Sequence, residues 1–234
     1  MIPTELGALK HAATHYGMTS EGLPLNVYLP QNLEPKILIM ASIHGDESIS
    51  TVLLSECLRR LDLNALRSAV ILSANPEGVL TGTRCNGRGV DLNRNFPTSN
   101  WKPDPVTYRN KPHEPQNISL SPGASPGSEP ETQALINLLE KIKPRLIVSI
   151  HGFLDCIDDP DGTAIAQDMA QRSGMPLVPD VGYATPGSFG SWCAERDIPI
   201  ITYELPSAGM VALREVHHPI FCDVMTGSYD KLID

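Results

Sequence analysis

Four short apolar runs punctuate the chain, at residues 36–43, 69–74, 146–150 and 198–203. Each is too short for a helix and reads as a buried strand. Residues 25–29 predict a further strand ahead of them. Between the runs, apolar residues recur at helical spacing. Ile49, Val52, Leu53, Leu58 and Leu61 predict a helix over 47–61. Ser128-Glu129-Pro130-Glu131 has the form of a capping box opening a helix that ends near Ile142. Residues 163–173 predict a helix stopped by Gly174, and 188–196 a shorter one. Strands alternating with helices imply an α/β sandwich around a largely parallel sheet. The stretch 77–128 lacks clear periodicity and is either functional or disordered, with the Pro-rich part, 103–126, read as a surface loop of the same domain. No repeat or linker divides the chain, so a single domain over 1–234 is expected.

Composition narrows the class. With 41% apolar residues in 234, the chain can fill a core. The net charge of −9 argues against nucleic-acid binding by counterion release and against docking on anionic membranes. No apolar run approaches the roughly 18 residues of a membrane span. The opening Met1-Ile2-Pro3-Thr4-Glu5-Leu6 lacks the basic and apolar regions of a secretory signal. Cys57, Cys85, Cys156, Cys193 and Cys222 are odd in number and dispersed. That pattern argues against a disulfide framework or a thiolate zinc site, and for free thiols in the cytoplasm.

The candidate chemistry follows from the strand ends, where open α/β sheets bind ligands. The first run leads into His44, the third into His151 and the fourth into Glu204, while the first helix begins at Glu47. In parallel strands these residues collect at one edge. His44, Glu47 and His151 make a His₂Glu set, a common catalytic zinc coordination with a position left for water. Glu204 is then a carboxylate suited to take a proton. Arg84, Arg88 and Arg94 fall within eleven residues and suggest an anionic substrate or oxyanion. His11, His15, His113, His217 and His218 lie in no comparable context and read as surface or locally hydrogen-bonded residues.

Several segments together resemble the M14-type zinc carboxypeptidases: His44-Gly45-Asp46-Glu47, Asn75-Pro76-Glu77-Gly78, Thr83-Arg84, the stretch from Gly89 through Asp91-Leu92-Asn93-Arg94 to Pro97, the strand-end His151, and Tyr203-Glu204-Leu205. They occur in the family's order over about 36–206. The resemblance implies a mixed, mostly parallel eight-stranded sheet with helices on both faces. It implies one zinc ion on His44, Glu47 and His151, with Glu204 as general base. It also implies that Arg84 stabilises the oxyanion and that Asn93 and Arg94 hold the substrate's terminal carboxylate. Within the family, the stretches 126–132 and 182–193 resemble the bacterial murein tripeptide amidases. These cleave the γ-D-glutamyl–meso-diaminopimelate bond of L-Ala-γ-D-Glu-meso-diaminopimelate in cytoplasmic peptidoglycan recycling. The expected partner is therefore a small peptide, murein tripeptide, with neither nucleic acid nor membrane; the sequence is compatible with a homodimer.

The chain departs from digestive relatives, which carry a substrate-capping tyrosine upstream of the catalytic Glu. The matching stretch 187–193 has none, and Tyr183 stands off that position. Substrate contacts are expected from 181–192, Gly187 and Ser188 included, whose glycines let backbone approach a polar ligand. Two rival readings remain: a zinc-dependent deacylase of N-acyl amino acids, and a catalytically silent muropeptide-binding module. Retention of Asn93 to Pro97 and of Glu204-Leu205-Pro206 favours the peptidase.

Overall fold

A computed structural model describes residues 7–110 and 116–233. Met1 to Leu6, His113 and part of the Pro-rich tract lie outside the described residues. In chain order the elements are β1 (Ala13–Met18), β2 (Pro24–Tyr28), β3 (Ile37–Ala41), α1 (Ile49–Arg60), β4 (Ala69–Ile71), α2 (Pro76–Thr81), β5 (Val106–Asn110) and β6 (Gln116–Leu120). There follow α3 (Pro130–Ile142), β7 (Leu146–Gly152), β8 (Cys156–Asp158), α4 (Ala164–Ser173), β9 (Leu177–Val178), α5 (Phe189–Ala194), β10 (Ile200–Leu205) and α6 (Met210–Thr226).

The principal sheet has eight strands in the order β1-β2-β4-β3-β7-β10-β8-β9. Its centre, β4-β3-β7-β10, is parallel throughout. Antiparallel pairs join β1 to β2, β2 to β4 and β10 to β8, so the sheet is mixed, as the resemblance implied. Successive strand residues point to opposite faces. Accordingly Ile37, Ile39 and Ala41 pack with Leu53, Leu54 and Phe221 of α1 and α6, while Leu38 and Met40 pack with Leu135, Leu139 and Trp192 of α3 and α5. Both faces are covered, which is why the central strands read as continuous apolar runs.

Four expectations change. The long loop contains structure: α2, a 3₁₀ turn at Leu92–Arg94, and the antiparallel pair β5–β6. The capping box does not form. Glu129 is the N-cap without a side-chain bond, Pro130 opens α3, and Ser128 Oγ instead accepts from Asn95 Nδ2 at 3.1 Å. The helix after His44 is split into a 3₁₀ turn, Gly45–Glu47, and α1. Finally, α6 has no counterpart in the sequence reading, because Pro219 lies inside it. Proline removes one intrahelical hydrogen bond; burial of Leu213, Ile220, Phe221 and Val224 against the sheet outweighs that loss.

Candidate active site

The strand ends converge as the sequence predicts. His44 follows β3, Glu47 closes the 3₁₀ turn, and His151 and Glu204 are the penultimate residues of β7 and β10. Glu47 Oε1 is 2.7 Å from His44 Nδ1, Glu47 Oε2 is 3.2 Å from His151 Nδ1, and the two Nδ1 atoms are 3.2 Å apart. All three residues are buried. The outer nitrogens are backed separately: Asp91 Oδ1 lies 3.6 Å from His44 Nε2, and Ser149 Oγ lies 3.1 Å from His151 Nε2. Two imidazoles turned inward by partners behind them, with a carboxylate between, are a donor set that fits zinc.

The electrostatics agree with that geometry. Burial pushes the Glu47 carboxyl up, but His44 and His151 outweigh it and hold it well below the usual carboxylate range. Burial and Arg84 push the His44 imidazole down; Glu47 and Asp91 outweigh them and raise it. Burial, reinforced by Glu47, raises the Glu204 carboxyl against the pull of His151 and His44. Glu204 Oε2 is buried with no hydrogen-bond partner.

The loop motifs hold this centre in place. Asn75 Oδ1 accepts from Gly78 N at 3.0 Å and its Nδ2 donates to the Arg84 carbonyl at 3.2 Å. A Cβ on Gly45 would fall 2.0 Å from the Gly78 carbonyl carbon, so the two segments pack backbone to backbone. The same contact places Arg84 over the centre. Its Nε donates to Asp91 Oδ2 at 3.0 Å, and its Nη1 and Nη2 lie 3.4 Å from Glu47 Oε1 and 2.8 Å from His44 Nε2.

A cleft of about 650 Å³ opens above these groups. Asn93 and Arg94 line it. The Phe189 amide donates to Asn93 Oδ1 at 2.8 Å. Arg94 is buried, its Nη1 donates to the Asn93 carbonyl at 2.7 Å, and its Nε has no partner. Among the described residues no carboxylate forms an ion pair with it, and burial lowers its pKa. Arg88, by contrast, is exposed beside Glu129 at 3.8 Å.

The expected substrate segment divides. Val181, Thr185, Ser188, Phe189 and Gly190 line the cleft, but Gly187 does not. Gly187 has φ +71, and a Cβ there would meet the Arg94 carbonyl oxygen at 2.4 Å. It serves close packing behind Arg94. The Ser188 hydroxyl caps α5, accepting from Ser191 N at 3.0 Å, and is thereby committed.

Tyr183, inside the expected 181–192 segment but off the capping position, lines the cleft and is 57% exposed. Two residues given no role in the sequence also belong to the site. Tyr108, from β5, donates to Asp46 Oδ2 at 2.9 Å and lies under the Arg84 guanidinium at 4.6 Å. The β-branched and aromatic run Val106-Thr107-Tyr108 was its signal. Asp91 joins Arg84 to His44. Of the remaining histidines, His11, His217 and His218 are buried rather than on the surface.

The zinc carboxypeptidase family profile matches residues 12–162. The chain belongs to the M14 zinc carboxypeptidases. It is an α/β hydrolytic enzyme of that zinc-dependent family. Murein peptide amidase A of Escherichia coli (strain K12) is 46% identical over 204 residues, 86% of this chain and 84% of the relative. Its counterpart in Vibrio campbellii (strain ATCC BAA-1116) is 42% identical over 225 residues, 94% and 90% of the two chains. The murein-tripeptide amidase structure from Escherichia coli O157 superposes with a TM-score of 0.90 at 41% identity, over 97% of this chain and 96% of that one. Carboxypeptidase A from Helicoverpa armigera shares the zinc carboxypeptidase fold, with a TM-score of 0.70 at 18% identity, over 95% of this chain and 68% of that one.

Proposed function

We propose that the chain, as one catalytic domain, is a zinc-dependent amidase. It hydrolyses the γ-D-glutamyl–meso-diaminopimelate bond of murein tripeptide in the cytoplasm. The observation that carries this reading is the pairing of a His44–Glu47–His151 donor set with the unpaired guanidinium of Arg94 in one cleft. The likeness to murein peptide amidases over most of both chains supports the substrate. Five free cysteines support the compartment. No helix among the described residues is long and apolar enough to cross a membrane.

His44, Glu47 and His151 would hold the zinc ion. When bound, zinc supplies Lewis acidity to a carbonyl and acidifies water. Glu204 takes the proton from the attacking water and returns it to the leaving amine, a shuttle for which its unpartnered oxygen is free. With its Nδ1 given to the metal, His44 would carry its ring proton on Nε2, which faces Asp91 Oδ1. Nε2 would then no longer accept from Arg84. The guanidinium, still held by Asp91 and Tyr108, has donors free for the oxygen of the scissile carbonyl as charge develops there. Arg94 neutralises the terminal carboxylate of the diaminopimelate, and Asn93 Nδ2 supplies a neutral donor beside it. Arg84 and Arg94 also concentrate positive charge locally in a chain of net charge −9, which a multiply anionic peptide requires.

Mass spectrometry of products from purified enzyme, zinc and L-Ala-γ-D-Glu-meso-diaminopimelate tests the reading. Release of diaminopimelate, abolished by a chelator and restored by zinc, is expected. Cleavage of N-acetyl or N-succinyl amino acids with the tripeptide left intact would favour the deacylase instead.

A further inference from the structure

On the far face of the sheet, three residues distant in sequence meet. Cys57 lies on α1, and His218 and Cys222 lie one turn apart on α6. Spacing of four residues puts the last two on one face of their helix. One donor atom from each of the three residues lies within 4.8 Å of the other two. Cys222 Sγ is 3.5 Å from His218 Nδ1. Tetrahedral zinc, with Zn–S of about 2.3 Å and Zn–N of about 2.0–2.1 Å, needs an S···N edge of about 3.6 Å. The edge is therefore already set without rearrangement.

Burial and charge fit the same ligand. Cys57 is fully buried and His218 is 7% exposed, while Cys222 is partly exposed and opens a path from solvent. Cys57 Sγ donates to the His218 carbonyl at 3.5 Å, which holds its sulfur against the residue that supplies the imidazole. Two thiolates and a neutral imidazole around a divalent ion sum to zero charge, which limits the cost of burial. Binding as thiolates releases the thiol protons to solvent.

We propose that Cys57, His218 and Cys222 form a second metal site, separate from the His44–Glu47–His151 centre, which takes a thiophilic divalent ion such as zinc and pins α6 to α1. Along α1, Cys57 lies eight residues beyond Ile49, about 12 Å at 1.5 Å per residue, and α1 starts two residues after Glu47. The second ion would thus brace the helix that follows the catalytic turn. The dispersal of cysteines in the sequence argued against such a site, because the partners come from opposite ends of the chain.

Cobalt titration of the reduced, metal-free full chain tests this. Two equivalents and a thiolate-to-cobalt charge-transfer band are expected. Cys57→Ser combined with Cys222→Ser should remove one equivalent and the band; His44→Ala should remove the other equivalent and keep the band. A single equivalent without the band in the unaltered chain would overturn the proposal. If the double variant fails to fold, alkylation of the unaltered chain decides. Two equivalents of zinc should slow iodoacetamide labelling of Cys222 at least tenfold, measured by peptide mass spectrometry. An unchanged labelling rate, or a Cys57–Cys222 disulfide that forms in preference to metal binding under reducing conditions, would overturn it. Neither readout depends on which peptide the catalytic centre cleaves.

Discussion

Glu204 stands in register beside His151 across the parallel β7–β10 ladder. Two residues earlier, Thr202 pairs with Ser149 in the same way. The period of two puts all four on the cleft face, while Ile150 and Tyr203 join the core on the other. A proposed metal donor and the proposed proton carrier are thus held on adjacent strands at the centre of the sheet.

Glu204→Gln should keep that packing and lose the shuttle. Hydrolysis of the tripeptide is expected to fall by about 10²–10⁴-fold, with zinc content unchanged by elemental analysis. Full activity in this variant would exclude Glu204 as the base.

Arg94→Ala removes the buried guanidinium. KM for the tripeptide should rise by about tenfold or more, the loss of a charge-assisted hydrogen bond of about 1.5–3 kcal/mol. A substrate amidated at its terminal carboxylate should be cleaved by the variant and the unaltered enzyme with little difference. Equal sensitivity of both substrates would remove Arg94 from carboxylate recognition.

Asp91→Asn leaves the metal donors in place and weakens the partner behind His44. Zinc affinity, measured by competition with a chromophoric chelator, should fall by about 10–100-fold. An unaltered affinity would limit Asp91 to its bonds with Arg84 and the Asn93 amide.

His217 predicts a pH dependence of stability. It is buried on α6 with its Nδ1 2.7 Å from the Tyr203 hydroxyl, and burial lowers its pKa to about 4, against a smaller upward pull from Asp155. Unfolded, the ring titrates near 6.5. Between those values the unfolded chain binds a proton that the folded chain does not. Stability from this group is complete above about 6.5 and falls as pH drops towards 4, by at most about 1.4 kcal/mol per pH unit. Urea unfolding at several pH values should show a shallower slope for His217→Gln than for the unaltered chain; parallel slopes would refute the assignment.

Gly45→Ala would drive a methyl into the Gly78 backbone. A loss of about 1–3 kcal/mol is expected in urea unfolding, together with weaker zinc binding, since His44 and Glu47 flank the displaced residue. Ala at Gly82, where a Cβ meets nothing within 4 Å but φ is +67, should destabilise the chain without touching zinc affinity.

By itself the sequence determined what depends on local pattern. Apolar runs and helical spacing marked β3, β4, β7, β10, α1, α3 and α4, and strand ends marked His44, His151 and Glu204. Parallel strands bury both faces and therefore write themselves as short apolar runs, with the chemistry just after them. Only the tertiary structure decided what depends on which distant surfaces meet. Tyr108 reaches Arg84 because the β5–β6 pair folds back over the cleft, and Tyr183 enters it from a loop that no periodicity describes. Gly187 lies in a segment whose glycines suit substrate contact, but the close approach of Arg94's backbone turns it to packing. Pro219 masked α6, since the local cost of a proline is visible in sequence and the burial that offsets it is not. The meeting of Cys57 with His218 and Cys222 likewise follows from α6 crossing α1, a contact between residues 161 and 165 positions apart.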